Sequence, residues 1–338
     1  PCAAYVDPSA ASFITALRQR GVYVMEANND VLNGIRRCST LISKRRLLVN
    51  KACTGLLDEF GLYRWDDKAA LLGVEKPVKE KTTMNVMSFN VLGMNRETQT
   101  AKEPYKTVDA TVETRGVKLN RLLVGEQIDI AGFQELTAPW RIWFREKLDS
   151  AYGFVGTPTR DTGEGGYIAY RKDKYEPVEK GVFWLYDGAP SKPAKYDESM
   201  FDRMCYWALF RVKASGEYFL FMDTHLDHTG ATAKQAKVIV DQIPVISEKM
   251  KTAYGIKSLP MMLVGDMNSR PDTEAYRVLT SALRDARLYS KGDTVDGRYA
   301  TSPDLRWVES EADYRQDGHV IDYLMISRQI TVNNYKMV

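Results

Sequence analysis

An α/β fold in two parts is what this sequence predicts, on three observations. Short apolar runs alternate with helical periodicity along the chain. A charged stretch containing a proline, Lys76-Pro77-Val78-Lys79-Glu80-Lys81, interrupts the pattern and reads as a boundary. Beyond it, several apolar runs end in a polar residue that can carry chemistry. The 338 residues, with 44% hydrophobic and 27% charged content, suffice for a sizeable core.

Before the boundary, Ala4-Tyr5-Val6 is a strand candidate. Asp7-Pro8-Ser9 opens a helix to about residue 20, because proline is tolerated at a helix start. Residues 21–25 and 47–49 read as further strands. Asp30 is placed to cap a helix with Val31, Ile35 and Leu41 as its apolar positions. Leu62-Tyr63-Arg64-Trp65 follows a last helical stretch. At roughly 80 residues this part is small for an independent parallel-sheet domain.

After the boundary, strands are expected at 84–90, 129–133, 167–170, 182–185, 205–212, 218–224, 261–265 and 321–326. A helix is expected over 113–126, with Val117, Leu122 and Val124 apolar. A longer one is expected over 231–249, where Ala236, Ile239, Val240, Ile243 and Ile246 share a face. Pro244 is expected to kink that helix or mark an early turn.

Bulk properties exclude several classes. Net charge is +3, so no strong field for nucleic acid or membrane follows from the total. Cys2, Cys38, Cys53 and Cys205 form no C-x-x-C pair, which argues against a zinc knuckle or a disulfide framework. Reduced thiols and a cytoplasmic location are the expectation. No apolar run reaches the roughly 20 residues of a membrane span. The sequence opens on Pro1 with no basic-then-apolar leader, so no signal peptide is expected. An opening without methionine reads as a processed, trimmed or fragmentary chain.

The chemistry concentrates at strand ends. Asn90 closes "MSFN", Glu135 follows "IAGFQ", His225 closes "FMDTH", and Asp266 with Asn268 closes "MLVGDMN". Asp322 sits at the start of "VIDYLMIS". Polar groups at strand ends can converge at one edge of a sheet. Hard oxygen ligands of this kind suit magnesium or manganese. Phosphoryl transfer needs a cation on the phosphate oxygens, donors for the developing charge and an oriented water. A buried Asp322 also needs a partner if charged, and Arg203 or Arg315 is the expected structural one.

The ordered series N…QE…THLDH…GDMNS…IDY, with "GEGGYIAYRKDKYE" and "RMCYWALFRV" between, resembles the endonuclease/exonuclease/phosphatase superfamily over residues 82–338. The resemblance implies a four-layer α/β/β/α sandwich and a phosphate-ester substrate, nucleic acid among the candidates. It implies that Glu135 binds Mg2+ or Mn2+, with Asn90 beside it as ligand or supporting partner. It implies that Asp266 orients or deprotonates the attacking water and Asn268 holds a phosphate oxygen. His225 then donates to the phosphate or assists the leaving group, and Asp322 orients a final histidine. Tyr167 is a further phosphate contact, and Asp227 and His228 are near neighbours. The family pattern ends in a Ser-Asp-His step. No histidine follows Asp322 here, and the only ones are His225, His228 and His319. Impaired activity is therefore expected, with a non-catalytic metal- or phosphate-binding domain as the rival reading.

Residues 1–81 have their own resemblance. "YVDPSAASFITALRQRG", "NDVLNGIRR", "LLVNKACTGLLDEFGLYRWDD" and "EKPVKE" resemble the nuclease part of phage terminase large subunits, an RNase H-like fold. Only Asp7 matches an acidic position of that family. A lone carboxylate cannot build a two-metal site. The resemblance implies an incomplete, inactive RNase H-like unit fused to the second part, and a terminase-like DNA-packaging nuclease fragment as the alternative function.

Overall fold

The computed structural model describes residues 82–93, 111–158, 165–292, 301 and 320–337, with short pieces before residue 82. The chain divides into two units, Pro1–Thr82 and Thr83–Val338. In the first, Ala4–Val6 pairs in parallel with Val24–Glu26, and Tyr63–Trp65 pairs antiparallel with Pro77–Lys79. These are two separate two-stranded sheets, so the described residues give no RNase H-like sheet. Asp7 and the strand expected at 47–49 lie outside the described residues.

The second unit holds two sheets. Strands β1 (Val86–Asn90), β2 (Ile130–Gln134), β3 (Tyr152–Pro158) and β4 (Gly165–Arg171) form one of them, in the order β1-β2-β4-β3. Strands β5 (Tyr175–Trp184), β6 (Met204–Val212), β7 (Tyr218–His225), β8 (Met261–Asp266), β9 (Arg284–Asp285) and β10 (Asp322–Ile326) form the other, in the order β9-β10-β8-β7-β6-β5. The β1–β2 and β7–β8 pairs are parallel; every other pair is antiparallel. Helices α1 (Val112–Gly125) and α2 (Ala138–Leu148) lie with the first sheet, α3 (Thr232–Tyr254) and α4 (Glu274–Ala282) with the second.

Three apolar clusters separate four layers. Ile130 and Ile168 of the first sheet pack with Tyr206, Phe210, Phe221 and Val264 of the second. Leu123, Trp140 and Phe144 cover the outer face of the first sheet. Ile239, Ile243 and Leu279 cover that of the second. This is the α/β/β/α sandwich. Alternation of side chains along a strand makes it possible, because odd and even positions feed opposite layers. Thus Met87 and Ala131 face the helices while Val86 and Ile130 face the other sheet.

The local sequence explains the helix starts. Thr111 caps α1 by accepting from Thr114 N at 3.1 Å, and Thr111 N donates in return to Thr114 Oγ1 at 3.0 Å. Thr273 caps α4 in the same sense. Pro244 does not end α3, which continues to Tyr254 and stops at Gly255 in the left-handed conformation. The short strand β9, helix α4 and strand β3 went unread in the sequence.

Gly265 is a glycine the fold requires. Its φ is +149°, and a Cβ there would meet the Thr224 carbonyl oxygen at 1.9 Å. That close approach sets the register that puts His225 beside Asp266. Gly265→Ala is expected to cost about 1–3 kcal/mol or more of stability. A thermal melt should fall by several degrees, roughly 2–4 °C per kcal/mol in a unit of this size. An unchanged melting temperature would show that the two strands can part without loss.

Candidate active site

The inward rows of four strands end together at one edge of the sandwich. Asn90 on β1, His225 on β7, Asp266 on β8 and Asp322 on β10 all occupy positions that alternate with outward-facing residues. His225 pairs with Asp266 across β7–β8, and Asp266 with Asp322 across β8–β10. Glu135 breaks the alternation. Gln134 already turns inward, where its Nε2 donates to Asp223 Oδ1 at 2.6 Å. Glu135 then takes φ +60°, a left-handed conformation uncommon outside glycine. Two successive side chains thereby reach the same side. Asn268 sits at φ +44°, so two left-handed positions flank the cleft.

Asn90 Nδ2 donates to Glu135 Oε1 at 2.7 Å and to Asp266 Oδ2 at 3.0 Å. Its Oδ1 accepts from Leu92 N at 2.9 Å. Asn90 therefore turns its N–H side to the two carboxylates and clamps them, while its Oδ1 takes the Leu92 N–H. Gly93 N donates to Glu135 Oε2 at 2.7 Å, and Trp140 Nε1 donates to Leu92 O, which ties this turn to α2. Asn268 N donates to Asp266 Oδ1 at 2.9 Å.

The electrostatics are those of crowded negative charge. Burial raises the Asp266 carboxyl, the Glu135 charge raises it further, and the bonds from Asn90 and Asn268 N pull the other way. Burial pushes Asp322 well above the carboxylate range, with Asp266 and then Glu135 adding to it. The Thr301 hydroxyl opposes this, and it also accepts from Ile321 N and Asp322 N at 3.0 Å.

Two donors face His225 from opposite sides. Arg203 Nη1 lies 3.1 Å from its Nδ1, and Asn268 Nδ2 lies 3.0 Å from its Nε2. Asp266 Oδ2 is 3.7 Å from Nε2. Burial, then Arg203, then His228 hold its pKa well below the usual histidine value, so the ring is neutral at pH 7. Arg203 thus goes to His225 and not to Asp322 as its expected salt-bridge partner; Arg315 and His319 lie outside the described residues.

Tyr167 is not brought to this cluster. It pairs with Phe133 across β2–β4 and so shares the outward face, where it packs against Phe154 with ring centroids 5.9 Å apart. It lines a separate cavity of about 450 Å³ with Arg145, Asp149, Phe154 and Gly156. Asp227 is fully buried and anchors the preceding loop: its Oδ2 accepts from Phe201 N at 2.8 Å and its Oδ1 from Thr229 N. His228 lies over that loop, 6.0 Å from the Phe201 ring. Residues that the sequence did not single out for chemistry are Arg203, Thr301, Gln134 and Asp223. Of these, Gln134 and Asp223 lay inside motifs already quoted.

Whether the donors suit a divalent cation can be judged from their chemistry. Glu135 and Asp266 share one amide between them, and Asp322 adds a third carboxyl, so the cleft gains from positive charge. Among the described residues no three acidic, histidine or cysteine side chains close a metal shell. Magnesium characteristically takes one or two carboxylates and completes its shell with water and phosphate oxygen, which this set fits.

Comparisons with known proteins agree with the fold. No curated protein matches the chain. A solved endonuclease/exonuclease/phosphatase from Bacteroides vulgatus is 24% identical, covering 76% of this chain and 91% of that one, with a TM-score of 0.60. A family protein from Bacteroides thetaiotaomicron is 27% identical over 76% and 87%, TM-score 0.59. A mannosyl-6-phosphatase from Bacteroides thetaiotaomicron is 26% identical over 76% and 90%, TM-score 0.58. No match supports the terminase resemblance of residues 1–81. A model of the Endonuclease/Exonuclease/phosphatase family matches residues 87–338, and the chain belongs to that family.

Proposed function

We propose that residues 82–338 form a hydrolase of phosphate esters that works with magnesium or manganese. The observation that carries this reading is the meeting of Glu135 and Asp266 on Asn90, with Asp322 paired to Asp266 across β8–β10 and neutral His225 and Asn268 beside them. The likeness to a mannosyl-6-phosphatase supports a phosphate-ester substrate. Near-neutral net charge does not demand a long polyanion, so a small phosphate ester is as suitable as nucleic acid.

Glu135 would hold the cation, which when bound supplies positive charge to the phosphate oxygens. Asn90 keeps Glu135 and Asp266 at a fixed spacing. Asp266, desolvated and therefore more basic than an exposed carboxylate, takes the proton of the attacking water. Asn268 and His225 donate to the non-bridging oxygens as charge develops on them.

The test is turnover of an aryl phosphodiester and an aryl phosphomonoester by the full chain with magnesium, with manganese and with chelator. Chelation should abolish turnover. Glu135→Ala should lower it on the order of 10²-fold at fixed metal concentration. Turnover that ignores both chelator and Glu135→Ala would sink the proposal. The ratio of the two substrates assigns the ester class.

A further inference from the structure

A neutral imidazole has one bare nitrogen, yet two donors face His225. Arg203 Nη1 is 3.1 Å from Nδ1, and Asn268 Nδ2 is 3.0 Å from Nε2. A guanidinium is always protonated and has no acceptor. Only one of the two contacts is a hydrogen bond at any moment, and the choice decides where the histidine proton sits.

The physical chemistry favours Arg203. A bond from a charged donor is about twice as strong as one from a neutral amide. The opposite arrangement would set an Nδ1–H against a cation in a buried site, where both would be costly. Asn268 keeps its bond to the Leu226 carbonyl at 2.8 Å, and its Nδ2 must draw back from a protonated Nε2, because two donors 3.0 Å apart repel. Arg203 is itself held in place. It is 8% exposed, its guanidinium lies 4.9 Å from the Phe201 ring centroid, and its carbonyl accepts from Leu185 N at 2.9 Å. Phe201 is in turn fixed through Asp227.

We infer that Arg203 is a positioning residue that fixes His225 with Nδ1 bare and the proton on Nε2, aimed into the cleft. Its catalytic consequence rests on the phosphoesterase reading: a neutral Nε2–H is a ready donor to a phosphate oxygen or leaving group. The same nitrogen faces Asp266 Oδ2 at 3.7 Å, so the donor is oriented without being spent on a short bond. In the other tautomer the cleft would meet a lone pair, which repels a phosphate oxygen.

The experiment is 15N NMR of the full chain labelled at histidine, with the His225 signals identified by their loss in His225→Gln. The shifts of the two ring nitrogens report which one carries the proton, with no metal or substrate present. The wild type should show Nε2 protonated. Arg203→Lys should keep that state, since it retains a charged donor, and Arg203→Met should shift it toward Nδ1–H. If the chain hydrolyses the aryl esters, Arg203→Met should also lower kcat on the order of 10²-fold with a smaller change in KM. A protonated Nδ1 in the wild type, or an unchanged tautomer in folded Arg203→Met, overturns the inference. Should Arg203→Met fail to fold by circular dichroism, Asn268→Ala decides: Nδ1 must remain bare there, and a protonated Nδ1 overturns the inference. A chain without hydrolytic activity would remove the phosphoesterase reading and leave the tautomer answered by the spectrum.

Discussion

Asp266→Ala is expected to lower kcat on the order of 10²–10³-fold while leaving the melting temperature unchanged or raised. The two halves of that result have one cause. Asp266 is buried beside two other carboxyls, and burial makes its charge costly. Alanine removes the cost and the repulsion with it. It also removes the only described group that both accepts from Asn90 and Asn268 N and faces His225. The chemistry then lacks its proton acceptor, while the sandwich loses nothing it needs. Steady-state turnover and a thermal melt on the same preparation check both parts. Full activity in the variant would mean that the base lies elsewhere. Metal-dependent DNA cleavage surviving in the variant but lost in Asp7→Ala would move the chemistry to the first unit.

The sequence made the second unit legible because strands ending in polar residues leave a plain mark. Asn90, His225 and Asp266 were read as strand ends, and each lies at the end of an inward row. Pairing across space was not legible. Tyr167 was read as a phosphate contact, but only the β2–β4 register shows that it shares a face with Phe133. Arg203 or Arg315 is the partner the sequence offers Asp322, since all three are charged and a single sequence gives no distance between them. Thr301 stands 21 residues from Asp322, and no periodicity in the sequence marks it. The left-handed backbone at Glu135 could not be foreseen, because nothing in a glutamate codes for it. Such conformations are imposed by the surrounding fold and gather at functional sites.

Asp223 gives the other large effect, on stability rather than on rate. It is 0% exposed and lies between the sheets, against Gly132 and Gly166, where an added Cβ would meet its oxygens at 2.5 and 2.6 Å. Gln134 Nε2 donates to Oδ1, and Oδ2 has no hydrogen-bond partner among the described residues; neither has Gln134 Oε1. Burial pushes this carboxyl well above its usual value, more than the bonds from Gln134 and the Thr224 backbone lower it. The folded chain therefore holds a proton that the unfolded chain releases near pH 4. Between that value and the raised folded value, stability falls as pH rises, by about 1.4 kcal/mol per pH unit. Asp223→Asn removes this slope, and its amide can donate where Gln134 Oε1 now lacks a partner. The variant should gain on the wild type as pH rises from about 4 toward the raised folded value, by about 2–4 °C of melting temperature per kcal/mol. Asp266 and Asp322 contribute slopes of the same sign, but these are common to both chains and cancel in the difference. Parallel melting curves above about pH 4 would mean that Asp223 is ionised in the fold, with a cation or water between the sheets to hold it.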